Sequence, residues 1–476
     1  AQSEKRGAIH AERRARRIRR GAICVRSGMP RVVQGAIRVR LTSVMNNVTY
    51  DSTHLKLQKM LKTESCKSTL AQFDRQLSYG QFGGAAQFEG NIGQEDTSDF
   101  VRITVPMAFY SKTRRVTLAS TMVATVDGKK SDERAAADAV IEMAGEIEFD
   151  SFRGLDDFSN AGVFDGNPLV IPTFIPNIHG LGLQIRQSDY QANSRDLMFS
   201  EFGSDDTVVL SAGGSVLTQG TVEDASLRSA LGFGNADKLV VDPVALSAYN
   251  KLTFGKERII LGGSPQDATG GDLRKQWVSG GTVSVEASQF LRGKAKPARP
   301  RGNGPAAPVL ASAADNSSAG VSGLSGTYTY YVTAANEVGE SPASNAITTA
   351  SITLNDGVTV TITNPTTITG QAPVRYFNVY RSNAGGTAAT AGFIGRVILT
   401  PGTNTVFTDL GNKVPRFVNG YLLQNDASVI KELAPYSRLK LAVTELSSPE
   451  AHFRFLSLAV VKPRQFVILD NVKGSL

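Results

Sequence analysis

Between residues 303 and 413 the chain almost stops using charge. Arg375, Arg381, Arg396 and Lys413 stand against Asp315, Glu337, Glu340, Asp356 and Asp409, so nine charges serve 111 positions in a chain that is 20% charged. Short alternating runs recur there ("TYTYYVTA", "ITLNDGVTVTIT", "YFNVYRS", "FIGRVIL", "NTVFTDL"), each bounded by Gly, Pro, Asn or Asp. Period-two alternation buries one face of a strand, and evenly spaced turn signals return the next strand against it. The segment reads as a β-sandwich. A Pro/Gly linker, "KAKPARPRGNGPAAP" (294–308), leads into it. Because a different pattern resumes after residue 414, the sandwich reads as an insertion in a host domain, energetically separable from it.

The remaining charge is segregated as well. Residues 1–40 hold twelve Lys/Arg against Glu4 and Glu12, a net +10, which leaves −2 for everything else in a chain of net charge +8. Arg13, Arg14, Arg16, Arg17, Arg19 and Arg20 would circle a helix rather than stripe it, and Arg31, Arg38 and Arg40 follow. The charge implies a polyanion, an acidic neighbour or an acidic membrane surface as the arm's partner. Ile18, Ile23, Val25, Val32, Val33, Ile37 and Val39 favour a clamp on a neighbour, since a purely nucleic-acid-binding tail has little use for them. A secretion signal is not expected, because "GAICV" runs at once into Arg26. Apolar runs such as "LSLAVV" fall far short of the ~18 residues that span a bilayer, so no membrane partner is expected. Cys24 and Cys66 form neither a zinc motif nor a disulfide framework and read as reduced thiols.

The host sequence mixes periods. Residues 50–77 have loosely helical spacing and suggest one or two short helices. Residues 78–100 are Gly-rich with scattered aromatics, an irregular two-stranded excursion, and residues 101–125 alternate as strands. "SDERAAADAVIEMAGEIEFDSF" (131–152) is the clearest helix, with Ala136, Val140, Met143 and Ile147 as its stripe and Ser131 or Asp132 as its cap. Asp138, Glu142, Glu146 and Glu148 make its other faces acidic. A helix is predicted over 221–233, a buried strand running into a helix from Pro243, and a strand at 280–291. Residues 420–472 return to mixed α/β.

No catalytic constellation accompanies these elements. His10, His54, His179 and His452 share no metal-ligand spacing, and neither a phosphate-binding glycine loop nor a nucleophile elbow occurs. The chain reads as a non-enzyme without cofactors.

The order of parts resembles the major capsid proteins of tailed bacteriophages. "MVATVDGKKSDERAAADAVIEMAGEIEFDSFRG" (122–154) is similar to their strand, spine helix and following turn. "ADKLVVDPVALSAYNKL" (236–252) is similar to their axial strand and helix, and residues 429–472 to their C-terminal return. The later runs of 303–413, "YFNVYRSNAGGT", "FIGRV" and "FTDLG", resemble a fibronectin type III or immunoglobulin-like module, an arrangement closest to crAss-like capsid proteins. The resemblance implies an α+β Hong Kong 97-type fold. Its parts would be a basic N-terminal arm (1–62), an E-loop with flanking strands (63–130) and a spine helix (131–154). The first part of the peripheral and axial domains (155–302), the inserted sandwich (303–413) and the axial/peripheral return (414–476) would follow. It implies hexamers and pentamers of a virion shell assembled in the host cytoplasm, with packaged DNA nearby. Decoration proteins or host-surface glycans are further candidate partners. Tyr79, Phe82, Phe88, Phe100 and Arg102 would reach a neighbouring subunit, and the helix acids, facing inward, would repel DNA. The rival readings are another virion component, such as a tail or decoration protein, and an extracellular enzyme or adhesin with a fibronectin-type module.

Overall fold

The computed structural model describes residues 51–80, 85–93, 95–122, 130–154, 158, 177–186, 208–253, 275–292, 304–317, 323–336, 338–366, 372–443 and 446–474. The arginine-rich arm, Phe82 and most of the Pro/Gly linker lie outside the described residues.

The predicted helical content of 50–77 is confined to a 3₁₀ turn at Ser52–His54 and a single turn, α1 (Leu57–Met60). Strands β1 (Lys62–Ser65) and β2 (Leu70–Ser78) occupy the rest. The physical reason is pairing: β1 runs parallel to residues 429–432 and β2 antiparallel to β3 (Asp99–Pro106), and ladder bonds override weak local helical spacing. Strand β4 (Ala108–Thr117) leads into a short helix, α2 (Leu118–Met122).

Helix α3 spans Ser131–Phe152, with Asp132 and Glu133 in its first turn, where the helix dipole favours acids. Its cap differs from expectation. Lys130 is the N-cap and supplies no side-chain bond, because the Ser131 hydroxyl donates instead to the Ser120 carbonyl of α2 (2.9 Å). The buried stripe also differs: Ala139, Met143 and Ile147 are buried, whereas Ala136 and Val140 are half-covered. Burial concentrates at the C-terminal end, where the helix enters a core with Leu57, Ala108, Tyr421, Leu456 and Leu458.

Next come α4 (Leu181–Arg186), β5 (Val209–Ser211) and α5 (Gln219–Leu231), the last capped by the Thr218 hydroxyl. Then β6 (Lys238–Val241) passes into α6 (Pro243–Thr253), and β7 (Lys275–Val278) turns back into β8 (Gly281–Ala287). Proline suits the first turn of α6 because no N–H bond is needed there.

Among its described residues the charge-poor segment forms seven strands in two sheets. They are β9 (Val309–Asn316), β10 (Thr329–Ala335), β11 (Ile347–Thr348), β12 (Gly357–Thr363), β13 (Tyr376–Arg381), β14 (Gly392–Ile398) and β15 (Thr405–Asp409). The sheet orders are β11-β10-β13-β14 and β15-β12-β9, and Tyr330, Val332, Val358, Val360, Phe377 and Val397 are buried between them.

Strands β16 (Val418–Leu423), β17 (Ser428–Lys440), β18 (Ser447–Val460) and β19 (Val467–Val472) complete the chain. Instead of mixed α/β, the described residues of this return form four strands and a 3₁₀ turn at Pro463–Gln465 with no α-helix, because each strand fills a gap in a sheet begun earlier. One sheet runs β1-β17-β18-β4, with α3 packed on β4. The other runs β5-β19-β16-β6-β8-β7. The chain thus leaves the six-stranded sheet after β8 and re-enters it at β16, between β6 and β19.

Gly154, just after α3, has φ +29°, and a Cβ there would lie 2.5–2.8 Å from backbone atoms of Asp150, Ile178 and Gly180. Gly154→Ala is expected to cost about 2–4 kcal/mol. Gly402→Ala, at φ +78° with open space around it, should cost about 1 kcal/mol. Denaturant midpoints of the two variants check the contrast.

Candidate assembly interface

The β2–β3 hairpin has an inner and an outer side. Ala71, Ile103 and Val105 are buried at its base, with Phe73 and Val101 against them. Further out, Tyr79 (89% exposed), Phe88 (86%), Ile92 (96%) and Phe100 (63%) are largely uncovered among the described residues. Each large apolar side chain moved from water into a contact contributes about 1.5–3 kcal/mol, so this cluster is a strong drive toward a partner. Arg102, expected to contact a neighbour, forms a cross-strand pair with Asp74 (2.8 Å). That exposed pair contributes little to stability and leaves Arg102 engaged within its own hairpin.

On α3, Asp138 is exposed. Glu142 and Glu146 are not free acids facing a genome: Lys112 of β4 lies 3.5 Å from Glu142 and 2.5 Å from Glu146, and Arg114 pairs with Glu142. Alternation along β4 places both cations on the face that α3 covers. Repulsion of DNA by these two side chains is therefore largely cancelled. Strand and helix are instead held together by opposite charge.

Two further acids on α3 are buried: Glu148, expected on the acidic outer faces, faces the core instead, and Asp150 escaped the sequence reading. Glu148 is buried and accepts from the backbone N–H groups of Lys56, Leu57 and Gln58 (2.8, 2.6 and 3.1 Å), so it caps α1 from 90 residues away. Burial pushes its carboxyl up, and the three backbone bonds oppose that. Asp150 accepts from the Tyr110 hydroxyl (2.8 Å) and the Asn177 amide (3.1 Å), while the Tyr110 oxygen accepts from the Ile178 N–H (3.2 Å). Burial raises its pKa to about 6. The Tyr110 bond, the Arg396 charge and the Asn177 bond pull it down, and Glu146, one turn earlier, pushes it up. The available signal was spacing: Ile147, Asp150 and Ser151 lie three and four apart, on the buried face.

The sandwich meets the rest of the subunit at the same place. Arg153 donates to the Leu291 carbonyl (2.9 Å), and its guanidinium lies 5.7 Å from the Phe393 ring centre and 5.0 Å from that of Phe417. Arg396, on β14, donates to Asn378 Oδ1 (3.2 Å) and reaches the Gly154 carbonyl (3.5 Å), amid the rings of Phe158, Tyr376 and Phe393. Every residue of β10 and β14 is buried, so their sheet is covered on both faces. The expected energetic separability does not fit this seam, since excising the module would strip cover from Arg153 and Phe417. Its sparse charge concealed the reason: of the segment's few cations, Arg396 forms the seam and Arg381 is held within the module by Asp409 (2.5 Å).

Among the described residues no three His, Cys, Asp or Glu side chains gather as a metal site, and no helix is long and apolar enough to cross a membrane.

No family model matches the chain. It is 23% identical over 459 residues to the major capsid protein of Staphylococcus phage K, covering 92% of this chain and 90% of that one, and 22% identical over the same span to that of Staphylococcus phage S25-3. The chain is a relative of phage major capsid proteins. Among solved structures, the capsid of a native GTA particle matches at 10% identity and TM-score 0.42, covering 95% of this chain and 97% of that one. The capsid of cyanophage P-SCSP1u matches at 8% identity and TM-score 0.42, covering 90% of each.

The raised pKa of Asp150 makes stability pH-dependent. Its contribution is fully present below about pH 4, where the carboxyl is protonated in both folded and unfolded chains, and is lost as pH rises through about 6. Asp150→Asn lacks this loss. Its stability relative to the parent protein should therefore rise by about 2 kcal/mol between pH 4 and pH 7, measured by urea unfolding at each pH.

Proposed function

We propose that this chain is the shell-forming subunit of a phage capsid, a structural protein located in the virion. The observation that carries this reading is similarity to major capsid proteins across 92% of its length. The exposed aromatic hairpin supports it physically. A thin wall needs elements that reach over neighbours, and among the described residues Tyr79, Phe88, Ile92 and Phe100 are large apolar side chains left mostly exposed.

In the same reading, subunits join as hexamers and pentamers, and the arginine-rich arm clamps a neighbour rather than binding the genome, because apolar residues are interleaved with its cations. The sandwich is an immunoglobulin-like insertion on the outer surface. Its half-exposed Thr359 and Thr361 and its exposed Thr363, Val406 and Thr408 offer an uncharged sheet face to decoration proteins or host glycans. The crAss-like placement rests on the position of that insertion alone.

The test is electron microscopy of the expressed full chain. Closed particles of uniform size are expected. A variant with Tyr79, Phe88, Ile92 and Phe100 all changed to Ser should remain as free subunits or capsomers, with its thermal unfolding within about 2 °C of the parent protein. Tubes or monomers from the parent protein, or normal particles from the variant, would overturn the reading.

A further inference from the structure

The joint between the hairpin and the body is built around one arginine. Strand β4 pairs with β18 from Thr117 opposite Ser447 to Ala108 opposite Leu456, and there it stops. Beyond that point the chain is at Met107 and at Pro106, the last residue of β3, and the Met107 N–H donates to the Thr69 carbonyl (3.0 Å). Strand β18 runs on to Val460, still paired with β17 on its other side. The edge that β4 leaves is completed by side chains. The Gln184 amide donates to the Leu458 carbonyl (2.7 Å) and accepts from the Val460 N–H (3.0 Å), as a neighbouring strand would. Arg75 takes the consecutive carbonyls just beyond, Nη2 to Val460 (2.8 Å) and Nε to Val461 (2.8 Å).

Arg75 lies on β2, in the hairpin itself, opposite Val101. It is buried, whereas Gln72, Asp74 and Gln76 on either side of it are exposed. Ala71, Phe73 and Arg75 alternate onto the inner face, with the guanidinium 5.9 Å from the Phe73 ring centre. Arg75 is thus a polar tie placed several residues out from the Thr69/Met107 pivot. A bond at that distance resists rotation far better than one at the pivot. Its planar fork suits two successive carbonyls, which a single ammonium would not span in the same way.

We propose that Arg75 is a positioning residue for assembly: by gripping the end of β18 it fixes the angle at which the hairpin leaves the body, and with it the place where Phe88 and Ile92 meet a neighbour. The assembly half of this inference rests on the shell reading; the grip itself does not.

The experiment measures amide exchange on the unassembled full chain and particle yield on sucrose gradients, for the parent protein, Arg75→Ala, Arg75→Lys and Arg75→Gln. Loss of charge-assisted hydrogen bonds should speed exchange in residues 70–78 and 99–106 by about ten- to a hundredfold while leaving residues 139–152 of α3 unchanged. Particle yield should fall at least tenfold in Arg75→Ala, with Arg75→Lys recovering more of both readouts than Arg75→Gln. If Arg75→Ala does not fold, the Lys and Gln variants carry the same comparison. Unchanged exchange in the hairpin would overturn the proposal. So would exchange rising equally in α3, or a variant with a loosened hairpin that assembles like the parent. If the parent forms no particles, the shell reading fails while the exchange data still decide the grip.

Discussion

Within residues 148–154, the last turn of α3 and the bend after it, the other parts of the described subunit are held. Glu148 caps α1, and Asp150 takes the hydroxyl of Tyr110 from β4. The Phe152 carbonyl accepts from Tyr421 of β16, which belongs to the six-stranded sheet (2.8 Å). Arg153 reaches Leu291 and the rings of Phe393 and Phe417, and Gly154 meets Arg396 of the sandwich. A helix end leaves carbonyls without intrahelical partners, and here those groups and the neighbouring side chains become attachment points for three separate sheets. The low dielectric of this site makes each bond strong and each unmade bond costly, so the sheets are fixed together or not at all.

That arrangement separates two kinds of surface. Polar and charged groups are spent within the subunit: Lys112 and Arg114 on Glu142 and Glu146 at its half-exposed helix–strand face, Arg396 on the seam, Arg75 on the end of β18. Large apolar groups are left outward on the hairpin. A monomeric protein would distribute them the other way. A subunit built to be covered by copies of itself gains from this distribution, because internal ion pairs keep its shape while the apolar contacts wait for a neighbour.

Several elements were legible from local pattern alone. The bounds of α3, the Pro243 start of α6 and the strands of 303–413 all follow from period, caps and turn residues. Strands β1 and β2 were not legible, since their pairing partners lie hundreds of residues away or across a long loop. The acids at 142 and 146 were visible, but their partners on β4 depend on how strand and helix meet. Glu148 and Asp150 looked like more of the same acidic helix until burial distinguished them. Likewise a charge-poor segment announces a sandwich, yet which of its faces is covered depends on Arg153 and Phe417, far outside it.

In the proposed shell, a rigid subunit holds out an apolar hairpin for its neighbour to cover. A cryo-electron-microscopy reconstruction of particles assembled from the full chain tests it most directly. The account predicts that Tyr79, Phe88, Ile92 and Phe100 sit against an adjacent subunit, while residues 148–154 keep the contacts described for the single chain. A reconstruction with those four side chains still facing solvent, and subunits joined through other surfaces, would contradict it.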